Sequence, residues 1–243
     1  METALLVGLS QQTALQRNLD IIAHNLANME TTAYKVERPL FHTFLTDVRD
    51  VQGRHDQARM VNDYGMTRDM SEGALRHTGN PFDVAISGPG YFIVSTEAGE
   101  RYTRNGHFNI DASGRLITPD GDPVLDSNHG EISFGADEAN ISIARDGSIS
   151  SSTGPKGKLG VVNFDNDGVL TRTGGSLYQT DAAPTEVASP NVQQGTIEES
   201  NVVPIVEMTT MIDVMRAYSS TSQLIKSAED LSQRAIQTLG QVS

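Results

Sequence analysis

From residue 3 to residue 28 the chain repeats one pattern. Leu5, Gly8, Gln12, Leu15, Leu19, Ile22 and Leu26 follow one another at spacings of three and four, Leu6, Leu9 and Ile21 widen the stripe, and no proline interrupts it. That spacing predicts an α-helix with one apolar face, roughly 40 Å long at 1.5 Å per residue. A second helix is predicted over 203–240. Pro204 suits a first helical turn, and Asn201 before it is a candidate cap. Met208, Met211, Met215, Tyr218, Ser222, Ile225, Ser232, Ile236 and Leu239 form its stripe, broken by Glu229, with Gly240 as a stop. Stripes of this kind pack against a partner helix, and methionine adapts to imperfect partners. Each stripe is equally readable as plain core, lying on the chain's own domain.

The middle has a different rhythm. Phe82–Ile86, Tyr91–Val94, Phe108–Ile110, Arg115–Thr118, Ile141–Ile143, Leu159–Phe164 and Ser176–Gln179 read as short strands, with Asn105-Gly, Asp120-Gly, Asp146-Gly and Asp167-Gly as turns between them. Such spacing predicts an antiparallel β domain. Between helix and strands, Arg38-Pro-Leu-Phe and Phe44-Leu offer local anchors, while Asp47–Asp69 is polar and weakly periodic, so 35–77 reads as an extended connector or arm. The fold class is therefore α+β. Residues 1–34 and 203–243 make a discontinuous helical domain of paired terminal helices, and 78–202 make an antiparallel β core. Two helices alone do not bury both stripes well; helices from neighbouring copies would.

Charge sharpens this division. Of the formal −13, residues 1–35 and 203–243 carry −1 each and the middle carries −11. Near-neutral ends suit packing against other chains, and the acidic middle suits a solvated face. The sign argues against a nucleic-acid partner and against attraction to anionic lipid. There is no cysteine, hence no disulfide and no thiol chemistry. No apolar run of about 18 residues is present, so membrane insertion is not expected. Met1-Glu-Thr lacks a basic n-region, and Gln11, Gln12, Arg17 and Asn18 break any signal-peptide core, so the expectation is a chain with no cleaved leader.

Candidate chemistry is sparse. His24, His42, His55, His77, His107 and His129 show no metal-ligand spacing on one helix. Gly157-Lys-Leu lacks the rest of a phosphate loop, Gly88-Pro-Gly90 lacks the rest of a dinucleotide fingerprint, and no G-x-S-x-G occurs. Asn163-Phe-Asp-Asn-Asp-Gly168 resembles half a calcium loop, but Gly174 stands where a bidentate Glu is needed, which favours a simple turn. The carboxylate pairs Asp120/Asp122 and Glu198/Glu199 carry no mark of perturbation. No catalytic residue, cofactor or metal is expected.

Read together, the two ends are specific. Asn25-Leu-Ala-Asn28 with Thr31-Thr-Ala-Tyr-Lys35 resembles the N-terminal signature of the bacterial flagellar rod and hook family, N-L-A-N-x-x-T-x-G-[YF]-K. Ser200-Asn-Val, Glu207-Met, Met211-Ile and Arg216-Ala-Tyr218 resemble its C-terminal signature. Thr78–Ile86, Gly88-x-Gly-Tyr-Phe92, Tyr102-Thr-Arg-x-Gly-x-Phe108, Gly114-Arg-Leu116, Ile143-Ala-x-Asp-Gly147 and Leu159–Phe164 resemble its core block. The resemblance spans nearly everything except 36–70, and length and compact core look most like the proximal rod type, with distal rod or hook type as the alternative. Ala33 departs from the family's usual Gly, and Ser219 from a common Glu.

The resemblance implies a subunit of the basal-body rod. Such a subunit leaves through the flagellar export apparatus and stacks helically in the periplasm with copies of itself and other rod proteins, to transmit torque. It implies an axial bundle built from Leu5, Leu15, Leu19, Ile22 and Leu26 with Met208, Met211, Met215, Tyr218 and Ile225. Asn25 and Asn28 would bond at helix ends or between subunits, and Tyr34 and Asn201 join the same assembly interface. A free-standing enzyme with a polar cleft, or a calcium-dependent binding module, would be the rival class.

Overall fold

The computed structural model describes residues 2–49, 55–135, 138 and 140–240. The chain divides into two compact units: 1–27, 37–69 and 203–243 in the first, 28–36 and 70–202 in the second.

In the first unit, Glu2–Ala27 form α1 and Pro204–Gly240 form α2. They pair antiparallel. Gln12 Nε2 donates to the Tyr218 hydroxyl at 3.0 Å, Asn25 Nδ2 donates to Glu207 Oε2 at 3.1 Å, and Gly8 backs onto Ile225. Ile21 and Ile22 are buried, with Leu5, Gly8, Gln12, Leu15, Leu19 and Leu26 half-buried on the face that the spacing predicts, whereas Leu6 and Leu9 stand exposed.

On α2 the inward face coincides with the expected stripe only at Met211, Tyr218 and Ile225. It runs Glu207, Met211, Val214, Tyr218, Thr221, Ile225, Ala228, at alternating spacings of four and three, with Glu207, Val214 and Thr221 buried. Met208 and Met215 lie off this seam and are exposed. The physical reason is that α2 carries two interleaved series of helical period. The inner one is studded with polar Glu207 and Thr221, which hides it from a reading by hydrophobicity. The side chains of Ile236 and Leu239 lie outside the described residues. Asn201 does not cap α2: the first-turn amides of Val206 and Glu207 donate to the Val203 carbonyl instead.

Residues read from sequence as a connector form a long antiparallel hairpin, β1 (Glu37–Arg49) and β2 (His55–Arg68), with a register shift between Leu40 and Phe41. Thirteen and fourteen residues at about 3.4 Å each give strands of roughly 45 Å. Polar side chains do not oppose strand formation in a two-stranded ribbon, so weak alternation does not argue against it. Phe44 and Leu45, read as anchors, have side chains outside the described residues.

The second unit is the antiparallel β domain. Its largest sheet has six strands in the order Thr171–Gly174, Leu177–Gln179, Gly99–Thr103, Tyr91–Thr96, Val161–Asn163, Thr185–Glu186. Tyr91-Phe-Ile-Val94 is apolar without alternation because both faces of its strand are covered. Phe92 and Val94 enter a core with Val84, Ile86, Phe108 and Leu116, while Tyr91 and Ile93 enter another with Tyr102, Phe164 and Tyr178. The turn Asn105-Gly106 is fixed by close approach: a Cβ at Gly106 would sit 1.6 Å from the Val84 carbonyl oxygen. Asp167-Gly168 lies in a single turn of 3-10 helix, not a hairpin, with the Asn166 side chain accepting from the Gly168 amide.

Candidate assembly surface

Three features of these units bear on function: a polar knot that fixes the helical unit, a buried ionic cluster that fixes the β unit, and apolar surface left open on the helices. The knot centres on Asn25, which is 1% exposed. Its Nδ2 donates to the Glu37 carbonyl at 2.9 Å and to Glu207 Oε2 at 3.1 Å; its Oδ1 accepts the Glu37 amide at 3.0 Å. One side chain thus ties the end of α1 to the start of β1 and the first turn of α2. Glu37 then meets Arg68 of β2 at 3.0 Å, with His24 at 3.7 Å. An amide suits this place because it donates and accepts at once, which no charged or apolar residue of that size does.

In the β unit, the Glu198 carboxylate is buried and accepts from Lys35 Nζ at 2.5 Å, Arg104 Nε at 2.9 Å and the Gly73 amide at 3.0 Å. Arg104 spends its remaining donors on the Gly88, Gly90 and Ile86 carbonyls, and Lys35 reaches Ser71 O. Glu198 and Glu199, adjacent in sequence, have opposite fates: Glu199 faces solvent with Arg76 at 2.6 Å. Tyr34 packs with Val36, Val202 and Met29, under the Arg172 guanidinium at 5.0 Å. Asn201 belongs here too, accepting the Val36 amide at 2.8 Å and donating to Ser71. Asn28 accepts from the Thr31 hydroxyl and amide in the turn after α1.

Burial holds the Lys35 ammonium below the usual lysine pKa, against the opposing pull of Glu198. Burial pushes the Tyr91 phenol up, helped by the Asp167 carboxylate that accepts its proton at 3.0 Å. The signs differ in consequence. For Lys35 the unfolded chain binds more protons between the lowered value and about 10.5, so this group's contribution to stability rises with pH across that window. For Tyr91 the folded state keeps its proton longer, so its contribution is complete below about pH 10 and is lost above it. Denaturant midpoints at pH 8, 9.5 and 11 should therefore not fall up to about pH 10, where Lys35 adds stability, and should fall above it as the Tyr91 contribution is lost; Tyr91→Phe should flatten that fall, and an equal fall in the variant would contradict this assignment.

Ala33, buried with φ 57°, sits in the left-handed region, its amide donating to the Glu198 carbonyl at 2.8 Å. Glycine there would relieve about 1–2 kcal/mol of strain, yet lose about 0.8 kcal/mol of buried methyl and about 0.7 kcal/mol to unfolded-chain entropy. Ala33→Gly is thus expected within about 1 kcal/mol of wild type in chemical denaturation, whereas Ala33→Val, β-branched at positive φ, should lose about 2 kcal/mol or more.

The third feature is a surface. Ile205, Met208, Ile212 and Met215 repeat at 3-4-3 along α2 and are 69, 44, 51 and 53% exposed. On α1, a groove of about 750 Å³ runs past Leu9, Thr13, Gln16 and Ile21 to Met66 of β2, rimmed by Arg17 and Asp20. Of the residues expected at an assembly interface, Leu5, Leu15, Leu19, Ile22, Leu26, Met211, Tyr218 and Ile225 face the intrachain seam, Asn25 lies in the knot, and Met208 and Met215 lie on the open stripe. In the sequence, Lys35, Arg104 and Glu207 stand within the signatures and Glu198 within a carboxylate pair, and no local pattern assigns Lys35, Arg104 or Glu198 a role. For Glu207 the signal was present, since it starts a 4-3-4-3 series. Among the described residues no group of three or more potential ligands could hold a metal ion.

Three family descriptions match the chain: flagella basal body rod protein at residues 5–35, the flagellar hook protein FlgE/F/G D1 domain at 85–151, and the flagellar basal body rod FlgEFG protein C-terminal region at 193–238. The flagellar basal-body rod protein FlgF of Caulobacter vibrioides is 36% identical over 245 residues, covering 100% of both chains, and FlgF of Mesorhizobium japonicum is 35% identical over 247 residues, again covering all of both. The flagellar basal-body rod protein FlgG of Bacillus subtilis is 30% identical over 260 residues, 97% of this chain and 98% of that one.

Proposed function

The chain belongs to the family of flagellar basal-body rod proteins, and from that premise we propose that it is a FlgF-type structural subunit of the proximal rod, built into the shaft through its helical unit to transmit torque. The length of the match favours this type: 243 residues align with FlgF over 245 and 247, while the match to FlgG takes 260. The observation that carries the assembly reading is the exposed α2 stripe. A soluble monomer has no use for four apolar side chains at helical period facing water. Completing their burial is worth about 1 kcal/mol each, or about 4 kcal/mol for the stripe. Association costs about 4–15 kcal/mol in lost freedom, so one such contact does not hold a subunit by itself. Several contacts per subunit, as in an open heterologous stack, would, and that keeps the free chain soluble until a growing rod offers them together.

The work is mechanical instead of catalytic on this reading. The buried charges are spent inside the fold, on Glu198 with Lys35 and Arg104, and on Asp83 with His107 and Thr78. The proposed neighbours are copies of this chain and other rod proteins, in the periplasmic part of the basal body, reached through the flagellar export apparatus. The test is a quadruple variant with Ile205, Met208, Ile212 and Met215 changed to Ser. Purified, it should unfold within about 1 kcal/mol of wild type, since surface positions contribute little, yet be missing from isolated basal bodies and fail to support motility. Normal incorporation would refute the role given to the stripe.

A further inference from the structure

The open stripe and the open groove lie on the same unit, and we infer that they are the two halves of one contact: the α1 groove of one copy receives the α2 stripe of a second copy of this chain. This rests on the rod reading above and adds which surface meets which. Length fits. Leu9 to Ile21 spans about 18 Å of helix and Ile205 to Met215 about 15 Å, at 1.5 Å per residue. With the helices lying along the axis of the stack, open stacking repeats every copy in the same sense. A neighbour's α2 therefore runs against α1, as the chain's own α2 does, and seats Met215 beside Leu9 and Ile205 beside Ile21 and Met66. At one end of the contact both partners are exposed in the single chain, Leu9 at 57% and Met215 at 53%; at the other, Ile205 and Met66 are exposed and Ile21 forms the buried floor.

Charge supports a second copy as the occupant. The helical unit holds nine basic and twelve acidic residues, a net −3, against nine and nineteen, a net −10, in the β unit. Like copies meeting through their β faces repel; meeting through the helical unit they scarcely do. Each surface also carries a balanced pair beside its apolar row, Arg17 with Asp20 on the groove and Asp213 with Arg216 on the stripe. The antiparallel seating further brings the amino-terminal turn of the incoming α2, the positive end of its dipole, to Asp20.

The chain has no cysteine of its own, so the contact is testable by cross-linking. Two full-length single variants, L9C and M215C, are produced together in flagellated cells, basal bodies are isolated, oxidised, and the linked peptides are mapped by mass. The expected result is a disulfide dimer joining position 9 of one chain to position 215 of another, at least tenfold above 9–9 and 215–215 links. A control pair, L9C with L224C, should give no excess. Both variants present in basal bodies without the 9–215 link would overturn this contact and leave the rod role intact. Wild-type chain itself missing from basal bodies would overturn the rod role and the contact with it. Variants that fail to incorporate where wild type does are replaced by T13C and I212C, which lie one turn further along the same antiparallel contact and carry the same expectation.

Discussion

Glu198→Ala is expected to cost about 3–5 kcal/mol, the largest single-residue loss in the β unit, because it leaves two buried cations without their shared carboxylate. Lys35 retains only the Ser71 carbonyl, and Arg104 retains carbonyls that cannot neutralise it. The apparent melting temperature should fall by roughly 10 °C. Lys35→Met should cost much less, about 1–2 kcal/mol, since Glu198 keeps Arg104 and the Gly73 amide and the desolvated ammonium is gone. Thermal and urea unfolding of the two variants check the order. If Lys35→Met proves the costlier change, the carboxylate is not the hub of this cluster. The residue matters beyond stability: the cluster joins the Tyr34-Lys35 segment, which follows α1, to the segment before α2, so it anchors the chain at both places where it passes between the β domain and the helices.

Asn25→Ala should cost about 2–4 kcal/mol, through the Glu37 amide and carbonyl and a Glu207 carboxylate all left short of a partner in a buried site. Asn25→Asp should be worse than Ala, because a carboxylate cannot donate to either acceptor and lies against that of Glu207. Far-ultraviolet circular dichroism on urea titration reads the loss of α1–α2 pairing directly. The functional expectation is that either variant exports poorly or assembles poorly even where the β unit stays folded. If Asp were better tolerated than Ala, Glu207 would have to be protonated, and the knot would need a different description.

What the sequence could reveal follows from where burial is simple. The α1 stripe was legible because its inward face is apolar apart from Gln12 and Asn25, and the strands at Tyr91 and Leu159 were legible because both their faces are buried. The α2 seam was legible only in part, at Met211, Tyr218 and Ile225, because Glu207 and Thr221 also occupy it while Ile205, Met208 and Met215 face outward. A reading by hydrophobicity mixes the two rows, and the outer one is the row open to another molecule. The hairpin of β1 and β2 escaped because a two-stranded ribbon needs no alternation. Lys35 belongs to the amino-terminal signature, which by itself gives it no role. Its role depends on Glu198, 163 residues away, and no local pattern announces a buried partner at that distance. The terminal signatures and the core block were enough to place the chain in its family, whereas the physical surfaces by which it would assemble needed coordinates.

A rod subunit held through its helical unit has a fixed place in the shaft. The most direct measurement is the position of a tag, placed in the exposed Gly174-Gly175 turn of the β unit, in electron micrographs of isolated basal bodies labelled with gold. Label is expected only on the rod, at its proximal part, and should be lost when the four stripe residues are changed to Ser. Label on the hook, or wild-type chain recovered only in the soluble fraction, would contradict that placement.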